Sequence, residues 1–517
     1  MKQLQNLSIV APGFYGLNSQ EAGVTLSSNF AQTATNVVID KYGRLGARKG
    51  WSMQTTSGST QLSGSPIRFL LEHNASGASV FLSAGNNKVF SGGVAATLTD
   101  ITPSLYTITD NDWSGASLYD RALMVQEGHE PLIYDATATP VLQTITDYTG
   151  STQNYGTSYP HYAIAAYGRF WTHNKDAVYW STDIADTAFP CFCGGTSGSL
   201  NISAVLPDNF DDIVAIAVHN DFLVILCKHN IVLYSGASNP IGNSFQLADI
   251  ITGVGCVAKN SVQATGNDLI FLSDTGVRSL GRLITEKSLP MRDLTKNVRD
   301  EVLQAMQDER DAYLGSLDHV CSVYSEANSF YLISFPSINT IYVLDMRTLL
   351  QDGAARITKW KLKATAFLRT KDRDVLLGVE DGIGKYTGYT DNNASYDIEF
   401  LSHFLDFQNP TQTKILKQLK SSIIGGYGQV FVITVGIDYT TNLIPYSFTI
   451  SSGSVPAYYN VSKYSIGEYS GAIDLSSLKS SIGGAGNIIQ IGFKATINNA
   501  PLSVQSLDCF LATGRIK

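Results

Sequence analysis

The feature that most constrains this chain is a hairpin that keeps returning. Its clearest copy lies in Gly253 to Leu280, where the apolar run Leu269-Ile270-Phe271-Leu272 sits between the turn residues Gly266-Asn267-Asp268 and Asp274-Thr275-Gly276, with Val277 to Leu280 following. Apolar runs bounded by such turns read as strands. A run with no polar alternate positions has no face for solvent, so this strand is expected to be buried on both sides, between neighbouring sheets.

The same unit, an apolar strand, a polar turn and a second strand, recurs in six other places. Val80-Phe81-Leu82 precedes Lys88-Val89-Phe90, Arg121 to Val125 precedes Pro131 to Tyr134, and Gly168 to Trp171 precedes Ala177 to Trp180. Phe222 to Ile225 precedes Ile231 to Tyr234, Ser329 to Ile333 precedes Ile341 to Leu344, and Val375 to Gly378 precedes Ile383 to Tyr386. The turn markers Asn87, Gly128, Asn174, Asn230, Thr275, Asn328 and Asp381 follow one another at 41 to 56 residues. That spacing suits a four-stranded blade, so the expectation is an all-β chain with a β-propeller of six to eight blades over 61–390, seven hairpins being counted. Ordinary hairpins in a sandwich are the competing reading, since turns there come every 8–12 residues or so.

Three segments stand outside the repeat. Residues 1–60 read as an N-terminal β extension, with Asn36-Val37-Val38-Ile39-Asp40 pairing with Leu45-Gly46-Ala47-Arg48 across a Tyr-Gly turn. Met291, Leu294, Val298, Val302, Ala305 and Met306 keep a helical period behind Pro290, which predicts an amphipathic helix inserted over about 290–309. It would pack on the propeller or touch a neighbouring subunit. Residues 391–517 hold few charges and alternating runs such as Gln429 to Val435 and Ile488 to Phe493, and read as a separate β-sandwich-like domain. Such long β-prone runs need paired edges, an argument for a partner subunit.

Charged residues make up 15% of the chain against about 25% in an average soluble protein, and 44% are hydrophobic, so a substantial core is expected rather than disorder. The net charge of −8 offers no broad electrostatic footprint for nucleic acid or anionic membrane. The start, MKQLQNLSIVAPG, lacks the apolar core of a secretory signal, and Phe222 to Cys227 is the best apolar run, far short of a membrane span of about 20 residues. Together these predict a soluble chain. The six cysteines are scattered and predict no disulfide framework, which suits synthesis in a reducing compartment.

A search for chemistry finds no complete constellation. Gly382-Ile383-Gly384-Lys385 has a phosphate-loop flavour but lacks the insert between glycines and carries Tyr386 where a metal-binding hydroxyl belongs, so it reads as a hairpin turn. His219, Cys227 and His229 surround one hairpin without a further zinc ligand in view. Cys191 and Cys193, if in a strand, point to opposite faces. Asp110-Asn111-Asp112 and Asp208-Asn209-Phe210-Asp211-Asp212 have oxygen-rich spacing but lack the glycine and distal glutamate of a calcium loop. Ser273-Asp274-Thr275-Gly276 is similar to the first half of a sialidase Asp box without its Trp, and no acidic pair suits a glycosidase. Lys41, Arg44, Arg48 and Lys49, with Tyr42 and Trp51 beside them, form the one basic cluster, and read as a solvated hairpin face before a nucleic-acid contact. No catalytic, cofactor-binding or metal-binding residue is therefore assigned.

Ala11-Pro12-Gly13, then Asn36 to Leu45 with Gly50-Trp51, resemble the start of the tail nozzle, or tail tubular protein B and stabilisation, proteins of short-tailed bacteriophages. Tyr167 to Trp171 with Val178 to Ser181, and Gly255-Cys256-Val257-Ala258 to Leu280, are similar to the same family, and the likeness spans residues 10–390. The resemblance implies a non-enzymatic virion protein, made in the host cytoplasm, that forms a homohexameric ring at the distal end of the tail. It implies contact with the tail adaptor and with fibre or spike proteins, retention of the packaged genome, and passage of double-stranded DNA without specific binding, with no cofactor and no membrane insertion. An acidic, lysine-poor conduit fits that role, because it avoids the counterion-release affinity that would hold the phosphate backbone. Two other readings compete: a glycan-binding or glycan-cleaving propeller, suggested by the Tyr and Trp content, and a receptor-binding component served by residues 391–517.

Overall fold

The computed structural model describes residues 5–8, 14–23, 26–27, 29–40, 43–56, 61–75, 77–108, 112–155, 158–183, 190–206, 211–266, 268–281, 293–407, 409–440, 442–450, 475–481 and 483–516. Six small antiparallel sheets and one four-stranded antiparallel part of a larger sheet follow one another along the chain. Blade 1 runs from Phe69–Ala75 to Leu98–Asp100, blade 2 from Trp113–Leu118 to Leu142–Thr144, blade 3 from Tyr162–Ala166 to Gly198–Asn201, and blade 4 from Ile213–His219 to Gln246–Thr252. Blade 5 has three strands, Gln263–Ala264, Leu269–Ser273 and Gly276–Ser279; blade 6 runs from Cys321–Ser325 to Arg356–Lys361. Blade 7 holds Ala366–Arg369, Val375–Val379 and Gly382–Tyr386, and takes its outer strand from far upstream: Trp51–Met53 pairs with Gly382–Tyr386, Tyr386 opposite Trp51 and Gly384 opposite Met53. The inner strands pack side by side around the circle, and that of blade 7 returns to that of blade 1. This is a closed seven-bladed β-propeller.

Each of the seven repeated hairpins read from sequence is the second and third strand of a blade, and the reason is burial. Side chains of a second strand point alternately to the two neighbouring blades. Ala122 and Met124 enter the core between blades 1 and 2, while Leu123 and Val125 enter the one between blades 2 and 3. Leu269 and Phe271 face blade 4, and Ile270 and Leu272 face the core shared with blade 6. All four residues of Leu269-Ile270-Phe271-Leu272 are at most 1% exposed, so the strand has no solvent face.

The inserted helix is Arg299–Ala312, entered through the 3-10 turn Lys296–Val298. It begins later than the helical period suggested because Asp293 Oδ1 accepts from both the backbone N–H and the hydroxyl of Thr295, a local geometry that competes with helix. Pro290 and Met291 lie outside the described residues. Val302, Ala305 and Met306 pack against Tyr331 and Phe335 of blade 6 and Val277 of blade 5, so the helix covers the flank beside the third strand of blade 5, the last that this blade has among the described residues.

The remaining strands form a sandwich. One sheet continues directly from blade 6: Arg356–Lys361 meets Phe30–Thr35, which pairs with Tyr396–Ser402, then Ile489–Ile497, Val430–Ile437 and the edge strand Ile444–Thr449. The other runs Leu475–Ser481, Gln412–Gly425, Leu502–Ile516, Leu45–Ala47 and Val37–Ile39, the last two pairing as the N-terminal hairpin was read. Phe400, Phe431 and Phe493 stack at centroid distances of 5.3 Å, and Leu416, Leu419, Leu507 and Leu511 belong to the same core, which is continuous with that of the helix and blades 5 and 6. Strands from the first 60 residues thus enter the propeller and both sheets of the sandwich.

Candidate functional site

The elements converge on the propeller axis. A cavity of about 550 Å³ is lined by inner strands of six blades, among them Phe69, Ser117, Ile164, Gln263, Ser322 and Phe367. At the end where the inner strands begin, a second cavity of about 380 Å³ opens among Glu127, His161, His173, Lys175, Lys259 and Asp318. Lys259, on the turn leading into blade 5, reaches across this mouth to Asp112 at the head of blade 2, Nζ to Oδ2 2.6 Å, and its Nζ also donates to the His161 carbonyl at 3.4 Å. Both side chains of the pair are buried, at 5% and 7% exposed. Burial works against the Lys259 charge, but Asp112, Asp318 and Glu127 outweigh it and hold the ammonium above its ordinary pKa.

Two imidazoles stand beside this pair. Burial pushes His161 below its ordinary value, against the pull of Glu127 at 3.8 Å, and pushes His173 down to about 3. His173 Nδ1 lies 2.9 Å from the Asn174 carbonyl. Tyr162, against the His173 ring at 5.9 Å, is raised to about 12 by burial, so neither ring nor phenol exchanges protons near neutral pH. The arrangement can hold and orient polar groups at the end of the axis. Sequence reasoning passed over Lys259 and His173, whose neighbours in the chain form no motif; Asp112 was visible only as a turn residue.

The structure separates the residues weighed from sequence. Gly382 and Gly384 leave room for the strand that closes the ring: a Cβ at Gly384 would stand 2.7 Å from the Trp51 ring, and one at Gly382 2.7 Å from Thr55 Oγ1. Lys385 pairs with Asp374 at 2.5 Å. His219 ends the inner strand of blade 4, whereas His229 sits in a turn at the blade's other end, against Asp211 at 3.3 Å; Cys227 is buried, with its thiol pushed up by that burial. Among the described residues no cluster of three or more His, Cys, Asp or Glu could hold a metal ion. Asp110, Asn111 and Asp208 to Phe210 lie outside the described residues, and Asp212 pairs with Lys228 at 2.6 Å. Asp274 binds Arg310 of the helix at 3.0 Å, and Gly276 lies where a Cβ would strike Thr295 and Asp293, so this turn anchors the helix.

Two expectations are corrected. Cys191 and Cys193 are not in a strand: they occupy a turn after Pro190, where the alternation argument fails, and they are joined by a disulfide. The basic cluster is not one solvated face. Lys41 and Tyr42 lie outside the described residues, Arg44 pairs with Asp40 at 2.8 Å, and Lys49 is exposed. Arg48 is wholly buried: its two Nη groups donate to Asp391 Oδ1 and Oδ2 at 2.8 and 2.6 Å, its Nε donates to Asn36 Oδ1 at 3.0 Å, and its guanidinium lies 4.1 Å over the Tyr396 ring. Of the five tryptophans, Trp113, Trp171, Trp180 and Trp360 are buried and Trp51 is half-buried, whereas Tyr119, Tyr159 and Tyr439 are exposed.

No family model and no curated protein matches this sequence. Solved structures do match. They include a streptogramin B lyase, 13% identical with a TM-score of 0.40 over 65% of this chain and 97% of that one. The CNH domain of AfRom2 is 9% identical with a TM-score of 0.38, over 65% and 98%. The WD40 domain of Neurospora crassa Pan2 is 8% identical with a TM-score of 0.35, over 66% and 95%. The propeller stands on its own strand pairing, and no helix among the described residues is long and apolar enough to cross a membrane.

Proposed function

We propose that this chain is a structural subunit of a short bacteriophage tail, one member of a nozzle ring that continues the DNA path below the portal and adaptor. One observation carries the reading beyond the sequence resemblance. Among the residues on which that resemblance rests, Asn36, Gly50 and Trp51 are spent on joining bodies rather than on chemistry. Asn36 donates from Nδ2 to the Asp397 carbonyl at 2.7 Å and accepts at Oδ1 from the Lys361 backbone N–H at 2.8 Å, so a single side chain ties blade 6 to the sandwich. Gly50 lies so close to Thr390 that a Cβ would meet its carbonyl oxygen at 1.9 Å, and Trp51 closes the ring of blades. A rigid two-body subunit is what a pressure-bearing conduit needs.

The geometry also limits where DNA can run. The axial cavity has the size of a small-molecule pocket and Lys259–Asp112 bars its mouth, while the major groove of a duplex alone is about 12 Å wide. In the proposed ring the DNA path would run between subunits and not through a propeller. Electron microscopy of purified tails tests the reading: this chain should form a closed distal ring around the axis, and particles in which it is absent from that ring would end the proposal.

A further inference from the structure

The turn that ends the inserted helix contains a leucine in a place that favours another residue. Tyr313 caps the helix through its N–H to the Glu309 carbonyl, and Gly315 N–H returns to the Arg310 carbonyl at 2.7 Å, the backbone pattern in which the residue between them takes a left-handed conformation. That residue is Leu314, with φ of 52° and 103% relative exposure. Glycine suits the backbone there and a polar side chain suits the solvent. Leucine bears both costs with no return inside the chain. Leu314 stands on the rim of the mouth cavity, and Leu105, 99% exposed, and Tyr159, 44% exposed, project from other connections at the same end of the propeller.

At the opposite end, on the connection between the third and outer strands of blade 6, is an apolar socket of about 340 Å³ formed by Tyr15, Phe30, Leu349 and Leu350 with Asp352 and Arg356. Asp352 is engaged by Lys296 at 3.0 Å, whereas Arg356 Nε is buried with no acceptor. A helix C-terminus complements this socket in charge: its outward carbonyls and partial negative charge suit the guanidinium, and exposed Asp311 one turn before Leu314 adds to that charge.

We propose that Leu314 and the end of its helix dock into the Tyr15–Phe30–Leu349–Leu350 socket of a second copy of this chain. The contact joins unlike surfaces, head to tail, and such contacts close into rings when the rotation per step divides the circle. This assignment rests on the ring reading above.

Two measurements test it on the full chain. Light scattering behind size exclusion should show a multi-subunit species for the wild type and a shift to monomer for Leu314→Asp, with a thermal midpoint close to that of the wild-type monomer because the side chain is exposed. Mixing Leu314→Cys with Leu349→Cys under mild oxidation should give a crosslinked dimer that neither protein forms alone. A wild-type ring that survives in Leu314→Asp and yields no mixed crosslink overturns the contact and leaves the ring standing. A wild-type chain that stays monomeric at every concentration overturns both.

Discussion

At the scale of single residues, the most consequential side chain is Arg48. It is fully buried, and its bidentate bond to Asp391 spans 343 positions in sequence. Breaking a buried pair from one side leaves an uncompensated charge and lost hydrogen bonds. Arg48→Met should therefore cost about 3 kcal/mol in chemical denaturation, and Arg48→Met with Asp391→Leu should recover part of that loss. Equal losses in the single and double variants would show that the ion pair is not what holds the joint. Four imidazoles set a second expectation. His73, His161, His173 and His403 are all held below the ordinary 6.5, chiefly by burial. Below pH 6.5 the unfolded chain takes up protons that these folded rings refuse, so their contribution to stability is whole above 6.5 and drains as pH falls toward about 3, the value for His173. Urea midpoints should decline from pH 7 to pH 4, and less steeply in His173→Gln; an unchanged slope would remove His173 from the account.

At the scale of elements, the propeller is a ring with a single closure. Trp51–Met53 supplies the outer strand of blade 7, and Gly384 is small because Trp51 lies against it. Trp51→Ala and Gly384→Val attack the same contact. Each should lower stability by about 2 kcal/mol, and together by less than the sum, because both release one strand. Full additivity in a double-mutant cycle would mean the strand does not close the ring. Within blade 5, Phe271 lies at 0% exposure between blades 4 and 5, and a carboxylate there finds no partner. Phe271→Asp should yield no soluble, cooperatively folding product; wild-type stability in that variant would count against the blade assignment. The central hairpins were legible because burial on both faces writes a continuous apolar run. The alternating segment Ser261 to Ala264 ahead of the run Leu269 to Leu272 was legible too and is the short strand Gln263–Ala264, whereas the closing strand Trp51–Met53 was not, since it carries no period long enough to read.

At the scale of the whole molecule, propeller and sandwich share one core. Met306, Tyr331 and Phe335 on one side belong with Phe400, Leu416 and Phe493 on the other, and strand Phe30–Thr35 is hydrogen-bonded to both bodies. A chain stopped at residue 390 would expose that core and leave Phe30–Thr35 and the Val37–Ile39 hairpin as unpaired edges. It should be insoluble or lose near-ultraviolet dichroism, and a soluble truncated protein with native-like dichroism would show the bodies to be separable. This continuity was hidden in sequence, where the change of composition after Tyr386 marks a boundary but not what crosses it. The candidate site was hidden for a related reason: Lys259, Asp112 and the hairpin that carries His161 and His173 come from three separate stretches and meet only at the mouth of the propeller.

The sequence by itself determined the seven central hairpins, the β-rich class and the presence of the inserted helix, because strand and helix periods are local and each run reports its own burial. Only the tertiary structure decided that Trp51 completes the last blade, that Arg48 is buried against Asp391, and that blade 6 runs on into the sandwich. Those contacts join residues more than 300 positions apart, and a local pattern carries no record of which distant surface will cover it.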